Sequence, residues 1–191
     1  MKWLAFSFLL VATAHCGAEA TADKPTVFVV VGAAGEEEYG KQFAEAAAKW
    51  ERGVAQADAK LVAGAAEIGV ELNKKFKKFP ALISVESVPE LTRIASTPTE
   101  WRIGAAATLT AVEEAHAGEY PSLAKMFAVF ASRQIRNRAT LGGNLVTASP
   151  IGDSAPVLLT LDASVVLAST LGERTLPLDG FFTAYRLTQL R

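Results

Sequence analysis

The chain has 191 residues, a net charge of −1 and a composition in which half of the residues are apolar. That length suits one domain with a substantial core, and the near-neutral charge provides no basic footprint for nucleic acid or an anionic membrane. The single cysteine, Cys16, excludes disulfides, thiolate zinc sites and protein-held iron–sulfur clusters within this chain. Because His15 and His116 are far apart in the sequence, a metal site is not expected.

Residues 1–20 have the pattern of a secretory signal peptide. Lys2 supplies the positive end, residues 3–11 the apolar run, and residues 12–14 or 18–20 a small-residue cleavage site. The apolar run is too short to span a bilayer, so no membrane span is expected. A helical tail or a misassigned start codon would give the same segment without export. The expected location is therefore periplasmic or secreted if the signal is real, and cytoplasmic otherwise.

A strand, a glycine loop and a helix are predicted over residues 24–58. TVFVVV is a β-branched run that ends in GAAG, and apolar residues then repeat along one helical face, at Tyr39, Phe43, Ala46, Trp50 and Val54. GAAG is not the dinucleotide fingerprint, and the three glutamates that follow it would repel phosphate while stabilising the helix dipole. We interpret these residues as a structural βα unit of unknown origin.

A second strand, turn and helix follow in the segments KLVA, GAAEIG and IGVELNKKF. Gly64 at the strand end lets the backbone approach an anion, and the helix start offers unpaired N–H groups. A βα turn in which Gly64 serves geometry alone remains an alternative. The lysine run around Phe76 and Phe79 is interpreted as a solvated helix end, with a docking patch for a partner as the alternative.

The middle of the chain reads as short strands and turns, in ALISVESV, PELTRIA and EWRIGAAATL, followed by helices. Thr110 and Glu113 have the spacing of a capping box. Pro121 opens a helix with one apolar face, formed by Leu123, Met126, Phe127 and Phe130. A helix after Asp153 and the strands SVVLAS and RTLPL complete the prediction.

The segment RQIRNRATLGGNLVTASPIGDS, residues 133–154, holds the densest group of binding-type residues. The adjacent Gly142 and Gly143 allow positive φ and bring N–H groups against a ligand. Thr140, Asn144 and Asp153 add short hydrogen-bonding groups that suit a sugar or a phosphate. This chemistry favours a nucleotide-like cofactor, while the alternative is a glycine turn after which Asp153 only caps the next helix.

Five segments resemble, in their order along the chain, the FAD-binding (PCMH-type) domain of the xanthine dehydrogenase and molybdenum hydroxylase family. They are LVAGAAEIGVELNKK, PELTRIA, RIGAAATL, RQIRNRATLGGNLVTASPIGDSAPVLLTLDA and LDGFFTAYR, and the similarity is strongest to the bacterial xanthine dehydrogenase small subunit. The resemblance covers about residues 57–191. It implies an α+β fold with two small α/β lobes around FAD, truncated at the C-terminus and preceded by the added βα unit. The expected domains are a signal peptide (1–20), the βα unit (24–58) and a partial FAD-binding domain (59–191).

The resemblance also implies where FAD is held. A first loop would bind the pyrophosphate through main-chain N–H groups, over Leu61, Val62, Ala63, Gly64, Ala65, Ala66, Glu67, Ile68 and Gly69. A second loop would surround the diphosphate and ribityl chain, with Thr140, Gly142, Gly143 and Asn144. Asp153 would bind a cofactor hydroxyl, and Phe130 would lie beside the FAD rings unless it only packs in the core. No catalytic residue and no metal ligand are implied.

The implied function is an oxidoreductase module. Iron–sulfur and molybdopterin domains or subunits would be its partners, and FAD would pass their electrons to a nicotinamide acceptor such as NAD. The chain departs from the family at Ala65 and Ala66, which replace a glycine and a threonine, at Leu187, which replaces a lysine, and by stopping before the family's closing strands. These departures leave a second function open, a secreted non-catalytic α/β domain with a degenerate, cofactor-free flavin site. The predicted signal adds a conflict, because Sec-type export delivers an unfolded chain to a compartment poor in FAD.

Overall fold

The computed structural model describes the backbone of residues 26–29 and, beyond them, residues 59–116, 118–169 and 172–190. Strand β1 is Thr26–Val29, as the β-branched run predicts. The predicted signal peptide, the GAAG loop and the amphipathic helix through Val54 lie outside the described residues.

Residues 59–84 form a compact βαβ unit. Strand β2 (Ala59–Val62) and strand β3 (Ala81–Ser84) are parallel neighbours, and helix α1 (Ala66–Lys74) makes the crossover that parallel strands require. The predicted strand and helix are confirmed, but α1 begins at Ala66. The turn before it is therefore shorter than predicted, and Gly69 lies within the helix, where its carbonyl accepts a hydrogen bond of 2.9 Å from Asn73.

A mixed sheet of five strands forms the centre of the second part of the molecule. Its order is β4-β5-β1-β6-β7, in which β1 runs parallel to both of its neighbours and the outer strands are antiparallel to theirs. The remaining four strands of this sheet are β4 (Ile94–Ser96), β5 (Glu100–Ile103), β6 (Ser164–Ser169) and β7 (Gly172–Pro177).

The start of PELTRIA is helical, which corrects the prediction of strands and turns there. Helix α2 (Pro89–Thr92) is a single turn with proline at its first position, where the fixed φ of proline already matches a helix and its missing N–H costs nothing. Strand β4 begins only after Arg93, and Gly104, at the end of β5, donates a hydrogen bond of 2.8 Å to the Arg93 carbonyl.

Five helices occur between β5 and β6: α3 (Leu109–His116), α4 (Pro121–Val129), α5 (Arg133–Arg136), α6 (Leu141–Thr147) and α7 (Ser154–Thr160). A 3₁₀ turn (Leu178–Gly180) then leads into a hairpin of β8 (Phe182–Ala184) and β9 (Leu187–Thr188). The predicted apolar face of α4 is confirmed, since Leu123, Met126 and Phe127 are buried in one core with Ile103 and Leu145.

The N-terminus of α3 is capped two residues earlier than the sequence suggests. The Thr108 hydroxyl accepts a hydrogen bond of 3.1 Å from the Ala111 N–H, so Thr108 makes the cap contact that the capping box assigned to Thr110. The Thr110 hydroxyl instead donates to the Asn137 side chain at 2.7 Å, and Glu113 accepts from Arg136 at 3.1 Å. The Thr110 and Glu113 side chains therefore hold the segment that precedes α6 instead of capping α3.

The structure confirms the predicted α+β class, with helices and strands mixed along the chain. Among the described residues, none of the helices is long and apolar enough to cross a membrane. The division into a unit at 24–58 and a domain from residue 59 stays a prediction, although β1 is hydrogen-bonded between β5 and β6 at the centre of the sheet.

Candidate functional site

The two predicted binding loops meet through their backbones. A Cβ added to Gly64 would lie 1.9 Å from the Arg138 carbonyl oxygen and 3.1 Å from the Ala139 Cα. No side chain can occupy that space, so glycine is required here for close approach of two chain segments. Gly64 follows β2 and Ala139 precedes α6, and this contact therefore places the first loop directly against the entry to the second.

The first loop ends in a helix N-terminus that no side chain caps. Ala65, the N-cap residue of α1, has φ 61°, and no side-chain hydrogen bond reaches the helix start. Ala65 and Ala66 are exposed, and the first N–H groups of a helix have no intrahelical partner. Backbone donors at the positive end of a helix dipole bind anions, so this loop fits a diphosphate without any side chain.

Glu67 brings a carboxylate to the same helix start, but two cations partner it. Its Oε1 lies 3.5 Å from the Lys75 ammonium and 3.6 Å from the Arg186 guanidinium. Arg186 belongs to the turn between β8 and β9 and has φ 54°. The hairpin therefore delivers a positive charge next to the first loop, which the sequence analysis did not assign to the site.

Most of the other residues predicted for the first loop contact the rest of the protein. Leu61 and Ala63 pack against the core, Ile68 is buried, and the Val62 carbonyl accepts a hydrogen bond of 2.9 Å from the Val85 N–H. An added Cβ at Gly69 would meet nothing within 4 Å. Among the residues predicted for the first loop, only Ala65 and Ala66 are exposed, and contacts of the others with a cofactor stay predictions.

The second loop is the first turn of helix α6, which corrects the expectation of a glycine turn with positive φ. Thr140 is its N-cap, and its hydroxyl accepts a hydrogen bond of 3.1 Å from the Gly143 N–H. The Asn144 N–H donates to the Thr140 carbonyl at 3.0 Å. Gly142 and Gly143 both have helical backbones, so an unusual φ does not account for the pair.

The two glycines face different surroundings. Gly142 is buried, its N–H donates to the Ala105 carbonyl at 3.1 Å, and an added Cβ would lie 2.3 Å from the Ala105 Cβ. Gly143 is exposed, and its added Cβ would meet only the Thr140 hydroxyl, at 2.8 Å. Gly142 therefore serves packing against the loop after β5, whereas Gly143 leaves the outer surface of the helix start open to a ligand.

Asn144 and Asp153 approach each other through Ser154. The buried Ser154 hydroxyl donates a hydrogen bond to the Asn144 side-chain oxygen, which holds the carboxamide in place. Asp153 is the N-cap residue of α7 by position, but its carboxylate makes no capping hydrogen bond and is exposed. The carboxylate is therefore available to a hydroxyl ligand. Ser154 lies inside the DSAP segment, but nothing in the sequence indicated that it orients Asn144.

Phe130 lies at the C-terminal end of α4, half-buried against the core. Its carbonyl accepts a hydrogen bond of 2.6 Å from Arg136, which also bonds the Ala131 carbonyl at 2.7 Å. Arg136 thereby ties the end of α4 to the segment that enters the second loop. Core packing of Phe130 is observed in part, and its position beside the FAD rings stays a prediction.

Metal-binding chemistry finds no support in the part of the chain that the structure describes. It contains no cluster of three or more histidine, cysteine, aspartate or glutamate side chains that could hold an ion. The site as a whole offers backbone donors, a hydroxyl, a carboxamide and a carboxylate around two helix N-termini. This set is suited to a diphosphate joined to polyol groups.

Comparison with known protein families agrees with that chemistry. A family model described as "FAD binding domain in molybdopterin dehydrogenase" matches residues 38–191. The chain belongs to this family. The match begins at residue 38, so the similarity reaches further towards the N-terminus than the sequence motifs indicated.

Curated relatives include xanthine dehydrogenase/oxidase of Gallus gallus, 41% identical over 143 residues, which make up 69% of this chain and 10% of that protein. The nicotinate dehydrogenase FAD-subunit of Eubacterium barkeri is 36% identical over 125 residues, which make up 64% of this chain and 42% of the subunit. The chain therefore spans about a tenth of the xanthine dehydrogenases and less than half of the FAD-subunit.

Solved structures also resemble this chain in fold. A carbon monoxide dehydrogenase from Hydrogenophaga pseudoflava matches with a TM-score of 0.67 and 30% identity, covering 72% of this chain and 50% of that one. Quinoline 2-oxidoreductase from Pseudomonas putida 86 matches with a TM-score of 0.65 and 28% identity, covering 71% and 48%. The fold and the cofactor class of the family are thus those that the sequence motifs predicted.

Proposed function

We propose that this chain is the FAD-binding oxidoreductase module of a xanthine dehydrogenase-like enzyme. In this proposal, electrons from iron–sulfur and molybdenum partners pass through FAD to a nicotinamide acceptor. The observation that carries the proposal is the contact between the backbones of Gly64 and Arg138. This contact brings the uncapped N-terminus of α1 next to the start of α6, which contains the glycine pair. The uncapped start of α1 offers backbone donors to a phosphate, and the exposed Gly143 at the start of α6 leaves room for the rest of a dinucleotide.

Each part of the site then has a defined role. The N–H groups after Ala65 bind one phosphate, and the open surface at Gly143 admits the chain that links the phosphates to the ring system. Asn144, held by Ser154, donates to a polar group of the cofactor, and the Asp153 carboxylate accepts from a cofactor hydroxyl. Bound FAD supplies the electron- and hydride-transfer chemistry, so no acid–base pair of this chain is needed.

We infer partners from the relatives, which include a carbon monoxide dehydrogenase described by its molybdenum cofactor and a nicotinate dehydrogenase subunit named for FAD. We propose that iron–sulfur and molybdopterin chains deliver electrons to this module. The chain has a single cysteine, so it cannot hold an iron–sulfur cluster in the usual four-cysteine form. Hence the chain alone should not oxidise hypoxanthine or xanthine.

Flavin retention tests the proposal. The full chain, incubated with FAD and passed through gel filtration, should keep a flavin absorption band, with a dissociation constant weaker than about 10 nM, near −11 kcal/mol. Weak retention is expected because Ala66 stands where the family has a threonine hydroxyl and Leu187 stands where it has a lysine. Each hydrogen bond to FAD that is lost in this way costs about 1–3 kcal/mol.

Gly143→Val should abolish FAD retention. Gly180→Val is the control, because an added Cβ there meets nothing within 4 Å.

Folded but colourless protein would contradict FAD binding and favour the second function, a secreted domain with a cofactor-free site. Ala65 and Ala66 are the observation in favour of that alternative, since neither supplies a hydroxyl to the loop. The acceptor is tested separately: FAD-loaded chain should oxidise NADH in the presence of dichlorophenolindophenol. Flavin binding without this activity would retain the FAD module and reject the nicotinamide acceptor.

Export stays a proposal based on residues 1–20 alone. A fusion of these residues to a reporter that is active only outside the cytoplasm should show activity if the signal works. Activity of that reporter together with a flavin-free native chain would support the cofactor-free alternative.

A further inference from the structure

An exposed phenylalanine stands at the end of α1 that is remote from the FAD loops. Phe76 is 82% exposed, although burying a phenylalanine side chain ordinarily contributes about 1.5–3 kcal/mol to folding. The rise of α1, a nine-residue helix, places this end about 13 Å from the uncapped N-terminus at Ala65. The side chain therefore serves neither the core nor the cofactor loops.

The backbone at Phe76 is held in an unfavourable conformation. Its φ is 50°, in the left-handed region, and it occupies the position just after the C-cap residue Lys75, where glycine is the usual residue. The Lys77 N–H donates to the Glu71 carbonyl at 3.0 Å and closes the turn. A glycine would make the same turn without strain, so the aromatic side chain is retained at a cost to stability.

Four lysines surround this side chain, and two of them are paired with carboxylates of α1. Lys75 contacts Glu67, and Lys77 contacts Glu71 at 2.5 Å. Lys74 and Lys78 are exposed and have no ion-pair partner among the residues that the structure describes. The patch formed by residues 74–78, here named the KKFKK knob, thus presents an aromatic side chain within a net positive rim.

We propose that the KKFKK knob docks into an apolar pocket with an acidic rim on a partner protein. Exposed aromatic side chains that fill a pocket supply most of the energy of protein interfaces, and the complementary charges around them set orientation and association rate. The uncompensated charges of Lys74 and Lys78 favour an acidic partner through charge complementarity, and the single exposed ring favours a pocket over a flat surface. The inference does not rest on FAD binding, because it uses the opposite end of α1.

The test uses the full chain and a fluorescein-labelled amphipathic peptide of leucine and glutamate, with fluorescence anisotropy as the readout. The peptide should bind, and its affinity should fall as salt is raised. Phe76→Ser should weaken binding about tenfold or more, whereas Phe76→Trp should preserve it. Tyr185→Ser is the matched control, since Tyr185 is an aromatic side chain with 74% exposure outside the lysine run, and it should have no effect.

Thermal unfolding of Phe76 variants distinguishes a role of the ring in docking from a role in folding. Phe76→Gly should leave the thermal midpoint unchanged or raise it while it removes peptide binding; a lower midpoint would show that the ring serves the fold and would overturn the proposal. Equal binding of a peptide with glutamine in place of glutamate would overturn the acidic rim. Phe76-dependent binding to phosphatidylserine vesicles without binding to the peptide would assign the knob to a membrane and overturn a protein partner.

Discussion

Both loops of the site lead into a helix N-terminus, but they use hydrogen bonds in opposite ways. The first leaves the N-terminus of α1 without a side-chain cap, so its backbone donors remain open. In the second, the Thr140 hydroxyl already accepts from the Gly143 N–H, and Asn144 is held by Ser154. The first loop is therefore an anion-binding backbone, and the second is a rigid shape whose exposed glycine makes room for a ligand.

The contact between the loops should be the most sensitive point of this arrangement. Gly64→Val should lower the free energy of unfolding by more than about 3 kcal/mol and abolish FAD retention, because the new Cβ overlaps the Arg138 carbonyl at 1.9 Å and neither backbone can move freely. Gly69→Ala is the control, since its Cβ enters open space within α1 and should stabilise the helix by up to about 1 kcal/mol. Denaturant unfolding measures both. Similar stabilities of the two variants would refute a tight contact between the loops.

Acid should weaken the buried packing at the end of α3 before it weakens the ion pairs of α1. His116, at the end of α3, is buried beside Trp101 at a ring-centroid distance of 3.7 Å, and neither imidazole nitrogen has a hydrogen-bond partner. Burial lowers the pKa of His116 from 6.5 to about 4. On α1, the hydrogen bond from Lys77 lowers the pKa of Glu71 below its usual 4.5, so the stabilising charge of Glu71 is retained down to more acidic solution.

The sign of the His116 effect follows from its lowered pKa in the folded state. Its stabilising contribution is complete above pH 6.5 and is lost as pH falls towards 4, a difference of about 3 kcal/mol. His116→Phe should keep the aromatic packing and remove this part of the pH dependence. Urea unfolding at a series of pH values tests it, and parallel profiles for the parent and the variant would show that His116 is not the group responsible.

Local patterns were enough to predict most of the fold. Strand β2, the crossover helix α1 and the apolar face of α4 were predicted because their periodicity is set by the same burial that stabilises them. The capping box at Thr110 failed because its spacing also occurs inside helices, and Asn137, distant in sequence, determines the partner of Thr110. Tertiary contacts decided where local signals were ambiguous.

The site was predicted by residue type but not by conformation. A glycine pair signals either positive φ or close approach, and only the position of Ala105 against Gly142 shows that close approach applies. The contribution of Arg186 next to Glu67 could not be predicted, because the hairpin that carries it is remote in sequence. Such contacts depend on how segments that are distant in sequence pack together. The periodicity of apolar residues along one segment carries no information about that packing.

Substitution of the Thr140 cap tests whether cofactor binding depends on the second loop itself or on global stability. Thr140→Val removes the hydroxyl that satisfies the Gly143 N–H and should cost about 1 kcal/mol of stability. Thr108→Val removes the equivalent cap of α3, where the Ala111 N–H is 3.1 Å away, and should cost a similar amount. Only Thr140→Val should also weaken FAD binding, measured by flavin fluorescence titration. An equal loss of affinity in both variants would mean that global stability, not the second loop, controls binding.

The smallest effect is expected at the first loop, where Ala65 has a left-handed backbone with φ 61°. Ala65→Gly relieves about 1–2 kcal/mol of strain, but the added freedom of the unfolded chain offsets about 0.4–1 kcal/mol of it. The net gain in stability should therefore be about 0.8 kcal/mol, visible as a higher midpoint in thermal unfolding. FAD affinity should stay the same or rise, because the loop binds through its backbone and glycine keeps every N–H. A loss of affinity in Ala65→Gly would show instead that the strained alanine holds these donors in position, and that the first loop is as dependent on its side chains as the second.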